Sequence, residues 1–226
     1  MKPTWSTPDG MIKLYRGDCR EILPKIRIPN STIITDPVWP GASLKIPGSN
    51  RPYGLFREFC QIIPKEVTRL IVQLGCTNDP RFMRPIPARL KYLRNVFLEY
   101  CVPQKKGRIL FTGDVAYIYG PPVKFAKGRQ LMPGRYRASG KNSKKWIKDH
   151  PCPRHLEHVA FLVERFTDKH ETIIDPFMGG GTSGAAASGL GRPFVGIELP
   201  KYFDVAVGNI EDYLIQPDFL TTFTDD

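Results

Sequence analysis

The stretch Asp175-Pro-Phe-Met-Gly-Gly-Gly-Thr-Ser-Gly184 constrains this chain more than any other. It follows the β-branched run Glu171-Thr-Ile-Ile, precedes the small residues Ala185 to Ser188, and leads to a second apolar run, Phe194-Val-Gly-Ile-Glu198. A strand, a glycine turn, a small-residue helix and a strand ending in a carboxylate make one βαβ unit, and with it an α/β fold. Glycines in such a turn let the backbone pass close to a bound cofactor, and the helix N-terminus offers unpaired amides. A carboxylate at the tip of the next strand can hold two ribose hydroxyls.

Two cofactor classes compete for that turn. Gly179-x-Gly181-x-x-Gly184 with an acid 14 residues later matches the spacing of a dinucleotide fingerprint. Against it, the turn opens on Asp175-Pro176-Phe177, placing an anion where a pyrophosphate needs neutral backbone. An anion there suits a positively charged cofactor, such as the sulfonium and ammonium of S-adenosylmethionine.

At 226 residues the chain suffices for one sizeable α/β domain, or a domain with an insertion, with a core that needs no staples. Its net charge of +11 points to a polyanionic partner, either nucleic acid or an anionic membrane surface. No apolar run approaches the roughly 18 residues of a membrane span. Met1-Lys-Pro-Thr-Trp-Ser lacks a signal-peptide core. A cytoplasmic protein, with no membrane partner, is the expectation. Cys19, Cys60, Cys76, Cys101 and Cys152 form no C-x-x-C pair and are expected to be reduced and mostly buried. His150-Pro-Cys152-Pro-Arg154-His155-Leu-Glu-His158 carries nitrogen and sulfur ligands, but its prolines and the lack of a matching second cluster argue against zinc.

From the N-terminus, Ile12 and Leu14 alternate with polar neighbours as in a strand, and Gly17-Asp18 turns into a short helix capped by Asp18. Ser31-Thr-Ile-Ile-Thr is a second strand, ending in Asp36-Pro37-Val38-Trp39-Pro40, and ligands bind at that end of open parallel sheets. A helix is predicted over 54–65 and a buried strand over 69–75, followed by a proline- and arginine-rich loop at 80–87. A strand pair follows over 90–102 and 108–119. Residues 121–148 then carry nine cations and no acid, Lys124, Lys127, Arg129, Arg135, Arg137, Lys141, Lys144 and Lys145 among them, with Tyr136 and Trp146 interleaved. With too few apolar residues for a regular core element, this insertion reads as a nucleic-acid contact that follows phosphates and stacks bases. An amphipathic helix at 156–166, a last helix ending near Leu214 and a polar, acidic tail at 216–226 complete the chain.

Taken in order, Gly-Asp18-Cys-x-x-Ile-Leu, Asp36-Pro-Val-Trp39, His150-Pro-x-x-Arg154, Asp175-Pro-Phe-x-Gly-x-Gly181-Thr and Gly196-Ile-Glu198 resemble the β-class DNA amino-methyltransferases. The catalytic motif precedes the cofactor motif, the circularly permuted order of that class. The resemblance is good over 12–40 and 150–210 and loose between them. It implies a Rossmann-like, mostly parallel seven-stranded sheet with helices on both faces, S-adenosylmethionine as methyl donor, DNA as partner, often a homodimer, and one catalytic domain over 1–226 with 121–148 as target-recognition region.

Carried over, Asp175, Phe177, Gly179 and Gly181 would line the methionine side, Glu198 would take the ribose hydroxyls and Asp18 the adenine edge. Cys19, Asp36, Thr182 and Leu199 would flank them. His150 and Arg154 would sit near the methionine carboxylate, with arginine in place of the family's usual lysine. Asp36, Pro37 and Trp39 would form the catalytic turn. An exocyclic amine is a poor nucleophile because its lone pair is delocalised into the ring; Asp36 and the Pro37 carbonyl would accept its hydrogens and stabilise the developing charge. Trp39 would stack an extruded base. Adenine N6 is the favoured target, since cytosine-N4 relatives more often carry serine at the Asp36 position; cytosine N4, RNA adenine and a weakened nucleic-acid-binding protein are the alternatives. Val38, where the family has a second proline, loosens the turn.

Overall fold

The computed structural model describes residues 1–41, 46–123, 133–139, 149–152 and 154–215. In chain order its elements are β1 (Trp5–Ser6), β2 (Ile12–Arg16), α1 (Cys19–Ile22), β3 (Ser31–Thr35), α2 (Pro52–Gln61), β4 (Val67–Gly75), β5 (Tyr92–Lys106), β6 (Ile109–Tyr119), β7 (Arg135–Arg137), α3 (Leu156–Phe166), β8 (Thr172–Asp175), α4 (Thr182–Gly189), β9 (Phe194–Glu198) and α5 (Pro200–Ile215). The described strands form one sheet in the order β1-β2-β9-β8-β3-β4-β6-β5-β7. From β2 to β4 every pairing is parallel, and β6 runs antiparallel to both neighbours. The seven longer strands match the expected sheet; two short edge strands, β1 and β7, extend it to nine.

Alternation along the central strands divides the core in two. Ile34, Ile71, Ile173 and Phe194 face α3, α4 and α5, while Ile33, Leu70, Val72, Ile174 and Val195 face α1 and α2. β3 is buried at every position and β4 at all but one, as strands covered on both faces must be. Helix α4 is built of small residues, and Ala185, Ala186 and Ala187 are fully buried against α3 and α5, so the helix sits tight beneath the glycine turn.

Several expectations shift. α2 starts at Pro52, in the N-terminal position proline favours, and stops at Gln61 rather than at 65. Pro64 disfavours helical geometry in Ile63 and leaves both isoleucines outside the helix. Within 80–87, Pro80–Met83 forms a 3-10 turn capped by Asp79. Residues 121–148 do contain a regular element: β7 pairs in parallel with Phe97, Leu98 and Glu99 of β5. Only Cys19 and Cys60 are buried, while Cys76 is exposed and Cys101 and Cys152 are half-buried. No described helix is long and apolar enough to cross a membrane. The acidic tail lies outside the described residues.

At the amino-terminal end of the sheet, Arg69 and Glu171 are both buried and paired at 2.6 Å. Thr32 and the Asp168 amide donate to the same Glu171 oxygen at 3.0 and 2.9 Å, which ties β3, β4 and the start of β8 together. The opposite end, where the parallel strands finish, is free to hold a site.

Candidate functional site

Helical connections leave β8 towards β9 and β3 towards β4, in opposite directions, so a crevice opens between β8 and β3 at their carboxyl ends. A cleft of about 650 Å3 lies there, within the usual range of ligand sites. The two strand ends are joined across it. Thr35 on β3 donates its hydroxyl to Asp175 Oδ1 on β8 at 2.8 Å. The Phe177 amide shares that oxygen at 3.1 Å, and Ser183 on α4 donates to Oδ2 at 2.5 Å. Asp175 therefore holds strand, turn and helix in register. Burial pushes its carboxyl up to about 6 against the pull of these donors.

The glycine turn crosses the cleft floor. Gly179 has φ 56, and a β-carbon there would lie 3.2 Å from the His150 ring, so side chains are excluded on both counts. Its amide donates to Glu198 Oε2 at 2.7 Å, and the Leu199 amide donates to Glu198 Oε1 at 3.0 Å. Burial raises the Glu198 carboxyl to about 7 despite those two donors. Gly181, φ 89, caps α4 and faces away from the cleft; its β-carbon would meet the Ala206 carbonyl at 3.0 Å. Its Cβ side is taken up by packing against α5, and it is not among the residues that line the cleft.

On the β2 side, Asp18 caps α1 by accepting the Arg20 amide at 2.8 Å. The Arg20 guanidinium joins Asp18 to Glu58 of α2, which holds Asp18 well below the usual carboxylate range. Cys19 and Leu199 border the cleft, as does His150, whose ring packs edge-on against Tyr202. Burial, and after it the charge of Arg154, pull the His150 imidazole below its ordinary value.

Asp36, Pro37, Val38 and Trp39 leave β3 directly above the crevice. Trp39 donates Nε1–H to the Gln73 carbonyl at 3.1 Å, an anchor that does for this turn what a second proline would. The Arg154 guanidinium lies 4.1 Å over the Trp39 ring. Its Nε donates to Asp36 Oδ2, and Nη1 donates to Asp114 Oδ2 at 3.2 Å. Asp36 Oδ1 is buried without a hydrogen-bond partner. Desolvation raises the Asp36 carboxyl to about 6, with Arg154 pulling the other way. Arg154, expected near a cofactor carboxylate, is shared between two acids, Asp36 and Asp114.

Among the described residues, five carboxylates line the cleft, Asp18, Asp36, Asp114, Asp175 and Glu198, against two guanidinium groups, Arg20 and Arg154. Both cations are committed to the first three acids. Asp175 and Glu198 are held by hydroxyls and amides alone, so the cleft of this basic chain is acidic.

A model of the N6/N4 DNA methylases matches residues 84–207, more than half of the chain. The chain is a member of that DNA methylase family. It is 32% identical over 87 residues to the type II methyltransferase M2.LlaDCHI of Lactococcus lactis subsp. cremoris, a match covering 38% of this chain and 32% of the relative. The chain spans about a third of the length of the curated relatives it matches. Among solved structures, the M1.HpyAVI–SAM complex superposes with a TM-score of 0.66 at 21% identity, covering 88% of this chain and 98% of the other. The cytosine-N4-specific PvuII DNA methyltransferase gives 0.69 at 15% identity, with coverages of 92% and 88%.

In this methylase-family cleft, the expected residues Asp18, Cys19, Asp36, Pro37, Trp39, His150, Arg154, Asp175, Phe177, Gly179, Thr182, Glu198 and Leu199 all come together. Asp114, Tyr100, Gln73 and Ser183 were missed. Asp114 carried a signal, a lone acid inside the apolar run that forms β6. Of the basic segment, Lys124, Lys127, Arg129, Lys141, Lys144 and Lys145 lie outside the described residues. Arg135 and Arg137 are exposed on β7. Tyr136 stacks on Phe161 at 4.7 Å and reaches Glu157 at 3.4 Å, so it anchors β7 to α3.

Proposed function

We propose that this chain transfers a methyl group from S-adenosylmethionine to the N6 amine of adenine in DNA, with the 226 residues acting as one catalytic unit. The observation that carries the reading is the acidic cleft in which an Asp-Pro-Val-Trp turn and a glycine turn meet. A pyrophosphate would be repelled by Asp175 and Glu198, whereas a sulfonium and an ammonium would be attracted.

The residues fit such a cofactor. Glu198, at the tip of β9, would accept the ribose hydroxyls, and Asp18 the adenine amine. The bare backbone of 179–180 leaves room for the methionine portion. When bound, the cofactor supplies an electrophilic methyl whose bond to sulfur breaks as the bond to nitrogen forms. Asp36 and the Pro37 carbonyl would accept the two amino hydrogens, turning the nitrogen towards tetrahedral geometry and stabilising its positive charge until a proton leaves. Trp39 would stack the extruded base, offsetting part of an unstacking cost of a few kcal/mol.

Beyond the cleft, β6 continues past its last pairing with β4 at Asp114, and β5 and β6 rise together as a ribbon turning at Gly107. Lys105, Arg108, Val102, Ile109 and Leu110 are exposed there, residues 100–113 hold no acid, and Phe111 reaches the cleft. A two-stranded basic ribbon suits a DNA groove. Cytosine N4 is the second reading, favoured by the likeness to the PvuII enzyme. Asp36→Ala tests the chemistry: cofactor binding by calorimetry should stay within about threefold while methyl transfer falls by at least the hundredfold typical of lost transition-state contacts. An active variant would remove Asp36 from the mechanism.

A further inference from the structure

Three elements supply one charge cluster around Asp36. Arg154 comes from the segment preceding α3, Asp114 from β6 and Tyr100 from β5, and the Tyr100 hydroxyl bonds to Asp114. An arginine facing a lone carboxylate commonly takes both its oxygens through parallel N–H donors. Arg154 does not: on the edge that faces Asp36 only Nε donates, to one oxygen, while Nη1, on the other edge of the guanidinium, is held by Asp114. The Trp39 ring beneath the guanidinium fixes the plane in which this division occurs. Asp36 is left with Oδ2 accepting one donor and with Oδ1 buried without a partner.

We propose that Asp114 is a positioning residue for methyl transfer, holding Arg154 by Nη1 in an orientation that gives Asp36 a single donor and leaves it acceptor capacity for the target amine. This rests on the reading of Asp36 as the amine acceptor. The charged groups facing Asp36 are Arg154, Asp114 and, from β8, Asp175. Arg154 favours the ionised carboxylate, and the two acids oppose it. Loss of Asp114 would let Arg154 swing fully onto Asp36, leaving a carboxylate that is more strongly ionised and less available.

The test has a readout independent of catalysis. In the full-length chain labelled at aspartate 13Cγ, with Asp36→Asn assigning the resonance, the Asp36 midpoint is followed by NMR in wild type, Asp114→Asn and Arg154→Gln. Asp114→Asn should lower the midpoint and Arg154→Gln raise it, each by about one pH unit. An Asp114→Asn midpoint equal to wild type overturns the proposal, whether or not Arg154→Gln folds. In the transfer assay, Asp114→Asn should lower kcat by on the order of tenfold or more, with KM for DNA and cofactor affinity unchanged and partial rescue in Asp114→Glu. An unchanged kcat also overturns it. A wild-type chain that transfers no methyl, with the midpoints shifted as stated, would sink the proposed function and leave the control of Asp36 by Asp114 through the shared arginine standing.

Discussion

Glu198→Gln gives a measurable consequence of lining a cleft with carboxylates. In the folded chain, burial lifts Glu198 from its ordinary 4.5 to about 7. The folded state therefore holds that proton more tightly than the unfolded chain does. The resulting stability is fully present below pH 4.5 and is lost as pH rises through 7. At about 1.4 kcal/mol per pH unit, a gap of about 2.5 units bounds the loss at about 3.5 kcal/mol, and water reaching the cleft reduces it to about 2 kcal/mol. Glutamine keeps an acceptor for the Gly179 amide and loses the one for Leu199, a penalty of about 1 kcal/mol that does not vary with pH. Asp36 and Asp175 titrate in both proteins and largely cancel. Urea unfolding at pH 4.5 and 8.5 should thus show the variant gaining about 2 kcal/mol on wild type over that interval. Parallel stability curves would refute the claim that partial burial strains the Glu198 anion. The same logic predicts that cofactor affinity in wild type rises as pH passes 7, where Glu198 becomes the acceptor that ribose hydroxyls need.

Other perturbations address the remaining parts. Trp39→Leu should raise KM for DNA by about 5- to 150-fold, matching about 1–3 kcal/mol of base stacking, with cofactor affinity unchanged by calorimetry; an unchanged KM would take Trp39 out of base binding. Arg69→Met leaves Glu171 buried and unpaired and should cost about 3–5 kcal/mol in urea unfolding, so a loss below about 1 kcal/mol would mean that water solvates the site. Neutralising Lys105 and Arg108 together should weaken DNA binding and reduce the log-log salt slope by about two, an effect that Lys141, Lys144 and Lys145 should repeat if the basic segment also follows phosphates. An unchanged slope in either set would assign it to solvent.

Much of this architecture could be read from residues whose neighbours in sequence are also their neighbours in space. α3 ends where its apolar stripe ends, and Asp18 caps α1 as its place after Gly17 predicts, because capping and amphipathicity are local. The site was legible to the extent that its motifs sit at strand ends. What escaped is long-range: Arg154 meets Asp36 across 118 positions and Asp114 across 40. No spacing rule shows that one cation will be divided between two acids. The stacking of Tyr136 on Phe161 was hidden for the same reason, since Phe161 lies on a helix that composition alone does not bring near. Gly181 shared a motif with Gly179 but turned towards α5, a choice set by the packing of Ala206 and Ile210.

The most direct test of the acidic cleft as a site of methyl transfer to a base is the identity of the methylated nucleoside. The full chain, incubated with S-adenosylmethionine carrying a 13C-methyl group and with duplex DNA, single-stranded DNA or RNA in parallel, yields nucleosides for mass spectrometry. The account predicts 13C-labelled N6-methyldeoxyadenosine from DNA, abolished by Asp36→Ala. Labelled N4-methyldeoxycytidine would move the target to cytosine; unlabelled nucleic acid in the presence of tightly bound cofactor would contradict the account.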